Sequence, residues 1–384
     1  MKFYNVLILG CGASGSIAAI KASEKCDNIA IIDSSNKIAK KLLVTGNGRC
    51  NLTNKNVGSK KYNVNIDQYL KRFCVNDTIN FFDSLGLIAY HDEEGRYYPI
   101  SNSAKSVVDV IENKIKKSNI EVCLEHKVLK IELYDENKFC VFTDKDTFVC
   151  NKLVVALGGN FAQTILSNID MKSFVPSLVS LKTNTSRNLS GCRIADVKVK
   201  AQNSLGQTKE DRGEILFKEK GISGICIFNV STLFSRVNDF SGTLSIDLLP
   251  DFDKKQLLEL LCQRRKLDVK ISSFFDGLLL KQVGYEILNR IEINENRSCL
   301  SLKDEEIKKI VDVIKNLNYK VLGNLENNQV YSGGVDLSSL TNNLEHKKIK
   351  NLYFCGEACD VDGECGGYNL QWAWTSGFIV GESL

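Results

Sequence analysis

The stretch KFYNVLILGCGASGSIAAIKASEK, residues 2–25, decides the fold. It opens with a continuous apolar run, 3–9, that reads as a buried strand. It turns at GCGASG, 10–15, and continues as SIAAIKASEK with helical character. GCGASG has the G-x-G-x-x-G form and stands directly between strand and helix. Gly10 permits the tight turn, Gly12 lets the backbone approach a pyrophosphate, and Gly15 lets helix and strand pack closely. Ala13 and Ser14 open the helix. Its N-terminus offers free N–H groups and partial positive charge, about 0.3–1 kcal/mol for an anion and up to about 2 when partly buried. NIAIID, 28–33, is a second short strand, and Asp33 follows Gly15 by 18 positions. A carboxylate there, with Ser34 beside it, suits a free ribose 2′-OH. The expected ligand is FAD or NAD rather than NADP.

Working outward, residues 67–85 and 103–118 read as helices, the second amphipathic through Val107, Val108, Val110, Ile111 and Ile115. From 120 to 150 the pattern alternates (EVCLEHKVLKIELY, KFCVFTD, TFVC), which reads as a β-meander. LVVALGG, 153–159, is another buried strand ending on glycines. The texture shifts near 181. Residues 197–201, 214–217, 225–230 and 243–247 read as short, spaced strands of a small barrel or sandwich. After Pro250 the chain turns helical, with segments at 275–291 and 304–317. A strand at 352–356 and a closing helix at 369–381 follow. The chain of 384 residues exceeds the roughly 250–300 at which single cores stop growing. The reading is α/β: a Rossmann-type domain (βαβ, then β-meander) over 1–180, an inserted β-barrel-like part over 181–250, an inserted helical part over 251–325, and a return to the first domain over 326–384.

Net charge is +4, from 50 Lys and Arg against 46 Asp and Glu. That balance does not by itself announce nucleic-acid binding. Residues 251–320 are mildly basic, with 14 basic against 12 acidic residues. Fourteen Cys include no C-x-x-C, and none of the three His stands beside a Cys pair, so no metal site is expected. No apolar run reaches the ~18 residues of a membrane span. Scattered thiols without a secretory leader lead to an expected cytoplasmic location.

The meander followed by a Gly-ended strand favours FAD over NAD, with Val128, Ala156 and Gly158 as candidate contacts. NLYFCGE, 351–357, adds Gly356 and Glu357, an acid suited to ribityl hydroxyls, and Asp362 follows. No second G-x-G-x-x-G occurs, so NAD(P)H, the expected electron donor, has no Rossmann domain of its own here. KKLLVTGNGRCNLTN, 40–54, is a polar loop in which Gly46 and Gly48 permit unusual φ. It is not a P-loop, since G-x-x-x-x-G-K-[ST] is unmatched. Lys41 and Asn51 are further cofactor candidates. Arg49 offers planar, bidentate contact to the FAD pyrophosphate, a substrate phosphate or a carbonyl. Cys50 is either a proton donor or a packed thiol. In GECGGYNLQWAW, 363–374, Gly366 and Gly367 open a helix. Its first residues, Tyr368, Asn369 and Leu370, would face flavin N1 and O2, where negative charge grows on reduction. Tyr368 is the second candidate proton donor. Trp372 and Trp374 either stack on a ring or fill the core.

KKLLVTGNGRCNLTN and GEACDVDGECGGYNLQWAWTSG together resemble the BaiN/YhiN-type family of FAD-binding oxidoreductases, also called aminoacetone-oxidase-like. PSLVSL (176–181), GEILF (213–217), GISG (221–224) and EGRYYP (94–99) resemble further landmarks of that family. The resemblance spans nearly the whole chain and implies an FAD domain with an inserted β-barrel-like and helical module. Described activities of the family are reduction of carbon–carbon double bonds in dehydro-bile acids, oxidation of aminoacetone, and formation of dihydrouridine in large-subunit ribosomal RNA. The partner implied is either that RNA, through the mildly basic insert, or a small-molecule substrate. Three features depart from the family pattern. The loop after ALGG lacks S-T-G-D-G-Y, Ile225 replaces a Pro, and Cys365 replaces a Thr.

Overall fold

The apolar run at the start becomes β1 (Lys2–Leu9), whose Leu7, Ile8 and Leu9 are fully buried. Continuous rather than alternating apolar sequence is what a parallel strand covered on both faces requires. The computed structural model describes residues 1–135, 138–159, 161, 169–325 and 330–384. It divides into two units, Met1–Val175 with Gln329–Leu384, and Pro176–Asn328.

In the first unit, β1 is followed by α1 (Ala13–Ala22), β2 (Ile29–Ile32), β3 (Thr53–Asn54), α2 (Asp67–Leu70) and α3 (Val75–Ser84). The chain continues through β4 (Ala89–His91), β5 (Arg96–Pro99), α4 (Ala104–Lys117), β6 (Ile120–Cys123), β7 (Val128–Asp135), β8 (Lys138–Thr143) and β9 (Thr147–Val155). Next comes β10 (Lys172–Ser177), which pairs with a strand from beyond the second unit.

The second unit contains β11 (Ser180–Thr183), β12 (Arg193–Asn203), β13 (Thr208–Lys218), β14 (Gly221–Ser223), α5 (Ile225–Ser235) and β15 (Gly242–Asp247). It ends with α6 (Lys254–Arg264), α7 (Lys281–Arg290), α8 (Asp304–Lys315) and β16 (Leu317–Leu325). The first unit resumes with β17 (Val330–Gly334), the partner of β10, then β18 (Leu352–Phe354) and α9 (Tyr368–Ser383).

The main sheet of the first unit has the order β6-β2-β1-β9-β8-β7, with β18 also paired to β9. Strand β9 runs parallel to β1 and β18 but antiparallel to β8. One long strand thus carries both the meander and the parallel core. Helices α1 and α9 meet through glycines. A Cβ on Gly377 would lie 2.4 Å from the Ser14 carbonyl oxygen, and one on Gly381 2.5 Å from that of Ala18. In the second unit β11-β14-β13-β12-β15-β16 close into a barrel. Cys226, Ile227, Val230 and Phe234 of α5 join its buried core.

The structure corrects several sequence expectations. Residues 225–230 form the first turns of α5, not a strand. ICIFNVSTLF is apolar enough for either, and a short apolar run does not distinguish a buried strand from a buried helix. The meander begins at Val128; β6 instead pairs parallel with β2. The stretch expected to be helical to 325 contains β16, which pairs with β15 and β11 to close the barrel. Residues 67–85 form two helices, and 275–291 is helical only from Lys281. The unusual loop after ALGG, at 160 and 162–168, lies outside the described residues. Among the described residues, no helix is long and apolar enough to cross a membrane, and no His, Cys, Asp and Glu cluster suits a metal.

Candidate active site

The three glycines of GCGASG have different surroundings. At Gly10 (φ +104°) a Cβ would sit 2.2 Å from the Ala156 carbonyl oxygen, and at Gly15 2.0 Å from that of Gly10. Both are required for β1, β9 and α1 to close together. At Gly12 nothing lies within 4 Å of the Cβ position. Gly12 is the N-cap of α1, with no side chain capping the helix, so open space lies over a helix N-terminus. This is the form a pyrophosphate needs. Ser14 follows in the first turn of α1. Its hydroxyl points inward, and a Cβ on Gly356 would lie 2.4 Å from it.

Asp33 orders the turn. Its carboxylate accepts from the Cys11 N–H at 2.6 Å and from the Ser35 N–H at 2.7 Å. Ser34 is exposed beside it. The segment before Val128 is stitched to the same place, with His126 N–H donating to the Asp33 carbonyl at 2.9 Å and Glu125 N–H to that of Ser35 at 3.0 Å. Val128 itself is buried. From the other side, Lys41 pairs with Glu357 at 2.9 Å, and the same Glu357 oxygen accepts from Gly159 N–H at 3.2 Å, close to Gly158. Ala156 N–H donates to the Leu9 carbonyl at 2.8 Å.

The 40–54 loop is wound tightly. Gly46, Asn47, Gly48 and Cys50 all have positive φ (54°, 56°, 79° and 58°), two of them without the freedom of glycine. Strain of this kind is kept only where surrounding structure fixes it. Arg49 lies with its guanidinium carbon 4.3 Å from the centroid of the Tyr98 ring. Cys50 is completely buried, and burial pushes its thiol up to about 12. It is a packed thiol and exposes no acid to an incoming substrate.

Asn51 is 8% exposed, and its Oδ1 has no hydrogen-bond partner. A Cβ on Gly367 (φ +99°) would lie 2.8 Å from that oxygen and 2.7 Å from the Thr53 carbonyl. The orphaned Asn51 oxygen therefore sits at the N-cap of α9, another helix start without a side-chain cap. Tyr368 begins this helix, and its carbonyl accepts from Tyr62 OH at 2.8 Å. Burial pushes the Tyr368 phenol up, with Lys61, 5.8 Å from the ring centroid, pulling the other way. Asn369 spends its side chain inside the loop, accepting from Gly363 N–H at 2.8 Å and donating to the Gly363 carbonyl at 2.9 Å. Leu370 is half-buried. Asp362 is buried and accepts from Ser332 OH at 3.1 Å. Neither Trp faces a ligand. Both are 1% exposed, Trp372 donating to the Gly356 carbonyl at 3.0 Å and Trp374 to that of Leu52 at 2.8 Å.

Two contributors escaped sequence reasoning. Tyr98 gives Arg49 its platform; the only signal was its place in EGRYYP. Gln371 is wholly buried, with its Oε1 accepting from Thr53 OH at 2.6 Å and Thr78 OH at 3.1 Å. It ties α9 to the end of the 40–54 loop. Its position in NLQW marked only the closing helix.

A parallel sheet with an open glycine turn on a helix N-terminus, met by a second glycine turn from far along the chain, defines an oxidoreductase of the flavoprotein type. The open cradle at Gly12 and the orphaned Asn51 oxygen are features FAD fits. The chain belongs to the HI0933-like family: the description "HI0933-like protein Rossmann domain" matches residues 4–383. The resemblance drawn from the two long motifs is thereby borne out. Among curated relatives, the chain is 30% identical over 405 residues to the 3-dehydro-bile acid delta(4,6)-reductase of Clostridium scindens, covering 98% of each chain. It is 27% identical over 411 residues to the ribosomal RNA dihydrouridine synthase of Escherichia coli, covering 100% of this chain and 98% of that one. With the enzyme of the same name from Haemophilus influenzae, identity is 25% over 400 residues, 98% of each chain.

Proposed function

We propose that this chain is an FAD-dependent reductase of a conjugated carbon–carbon double bond, with NAD(P)H as electron donor and a uridine of large-subunit ribosomal RNA as first candidate substrate. The observation that carries it is full-length kinship with relatives named for two such reductions, on a fold whose Gly12 cradle is open. Bound FAD supplies a carrier for two electrons between nicotinamide and substrate. The amides of Gly12, Ala13, Ser14 and Gly15 would hold its pyrophosphate, and Asp33 with Ser34 its adenosine ribose. Val128 and Ala156 border the adenosine side. Glu357, oriented by Lys41 and Gly159, suits the ribityl hydroxyls. Gly46, Gly48, Asn51 and Asp362 line the approach to the start of α9, whose first amides (Tyr368 to Leu370) favour negative charge on the flavin. Tyr368 is the second candidate proton donor, at the start of α9; a phenol is protonated at neutral pH, and burial pushes this one further up.

A second reading, a small-molecule enone as substrate, is favoured by a specific observation. Many basic side chains of the second unit are committed to carboxylates. Examples are Arg212 with Asp196 and Asp251, Lys198 with Glu210, and Arg297 with Glu306. A paired charge adds little to a phosphate-attracting field. Comparing ribosomal RNA from a gene deletion with its parent decides between the two. Loss of a dihydrouridine supports the RNA substrate; an unchanged level removes it.

A further inference from the structure

Arg49 is half-buried, yet its polar contacts are weak. Its Nε lies 3.4 Å from the Gly46 carbonyl and its Nη2 3.5 Å from Tyr98 OH, both near the outer limit of a hydrogen bond. Among the described residues no carboxylate pairs with it. A guanidinium carries five donors, and because Arg49 is only partly buried, those that no protein acceptor takes at good geometry are open to a ligand. The guanidinium carbon lies 4.3 Å from the centroid of the Tyr98 ring, within cation–π reach.

The position of Arg49 distinguishes its possible ligands. Gly46, which shares its strained loop, sits against the Asn51 N–H and the Tyr98 ring; a Cβ there would lie 2.8 Å and 3.5 Å from them. Asn51 in turn carries the orphaned oxygen at Gly367, the N-cap of α9. Arg49 therefore belongs to the α9 end of the site. The pyrophosphate cradle is at Gly12, on α1, and the cation flanking the ribityl acid there is Lys41.

We infer that Arg49 is not a cofactor clamp but the residue that holds the conjugated carbonyl oxygen of the substrate, with Tyr98 fixing its orientation. This rests on the proposed reductase function. In that reaction the β-carbon gains a hydride, the C=C electron pair moves toward the carbonyl oxygen, and the α-carbon then takes a proton. The two electrons come from a reduced nicotinamide, which is oxidised. Arg49 meets the charge that grows on the oxygen, so it counts most when the hydride arrives. The shared chemistry is a C=C conjugated to C=O, present both in a uracil ring and in a 3-oxo-4-ene steroid.

The test uses full-length, FAD-loaded protein with Arg49→Gln and Arg49→Lys, and two probes: androst-4-ene-3,17-dione and a hexauridylate. FAD dissociation constants, probe binding read from the flavin absorbance, and reoxidation of the reduced protein by each probe are measured. Both variants should keep FAD affinity within about threefold. They should bind the active probe at least tenfold more weakly and reoxidise about 100-fold more slowly, the loss typical of a missing oxyanion donor. Which probe acts on the wild type identifies the substrate source. A tenfold loss of FAD affinity in both folded variants would make Arg49 a cofactor clamp and overturn the inference while leaving the reductase reading intact. Unaltered probe binding and reoxidation would overturn it as well. A wild type that holds FAD but responds to neither probe would overturn both.

Discussion

Substituting Gly10 and Gly12 by alanine, one at a time, separates packing from ligand binding in a motif where sequence treats the two glycines alike. At Gly10 an added Cβ is placed 2.2 Å from a backbone oxygen of β9's end, at φ +104°. Backbone must move by about 1 Å in a close-packed sheet. The conformation costs about 1–3 kcal/mol for a non-glycine residue. The flanking bonds, Gly10 N–H to the Ile32 carbonyl at 2.7 Å and Ala156 N–H to the Leu9 carbonyl at 2.8 Å, are weakened by the same shift. At about 0.5–1.5 kcal/mol each, they bring the loss to about 2–6 kcal/mol. At about 2–4 °C per kcal/mol, the apo-protein Tm falls by about 4–24 °C. At Gly12, with φ −82° and nothing within 4 Å, the methyl meets no protein atom. The apo protein should melt close to the wild type, because alanine narrows the unfolded ensemble by up to about 1 kcal/mol but is a poorer N-cap than glycine by a similar amount. FAD affinity should nevertheless fall about 30-fold, the equivalent of the ~2 kcal/mol a partly buried helix terminus gives an anion. The assays are scanning fluorimetry of apo protein and FAD titration by fluorescence quenching. If Gly12→Ala binds FAD within twofold of the wild type, the open space over α1 does not hold the pyrophosphate and the cofactor assignment fails.

Three further outcomes are expected. Gln371→Leu strands the Thr53 hydroxyl in the core and should lower stability by about 2–4 kcal/mol in urea unfolding; an unchanged midpoint would mean that hydroxyl finds another partner. Gly377→Ala should destabilise although alanine is the better helix former by about 1 kcal/mol, because its Cβ meets the Ser14 carbonyl; a gain in stability would refute the close α1–α9 contact. Cys50 has its thiol pushed up from 9.0 to about 12 by burial, so its contribution is fully present below pH 9 and lost as pH rises toward 12. The stability difference between wild type and Cys50→Ala should therefore shrink by up to about 1.4 kcal/mol per pH unit above 9, and a constant difference from pH 8 to 10.5 would contradict that burial.

The Rossmann half was legible because its signals are local: an apolar run, three glycines and an acid at fixed spacing. The barrel was legible as a texture but not in its parts. ICIFNVSTLF has no polar face to reveal a helix, since α5 is buried, and LNYKVLGNL closes the barrel far along the chain from the strands it joins. The site residues were found where a motif named them, but motif membership does not say which way a side chain turns. Cys50 and both Trp lie within the motifs yet face the core, whereas Tyr98, on the neighbouring strand β5, supplies the ring that Arg49 lies against. That pairing depends on β5 lying against β3, a register that no spacing in the sequence encodes.

The late position of α9 has a consequence for the order in which the protein is built. Domains fold as units while the chain is being synthesised. The second unit is one continuous segment, complete before β17 is made, and free to fold as it emerges. The first unit must wait. Its sheet lacks β18, and its glycine turns lack the α9 residues that seat them, until the ribosome has passed both. Until then the face of α1 that Gly377 and Gly381 approach, at Ser14 and Ala18, has no helix over it.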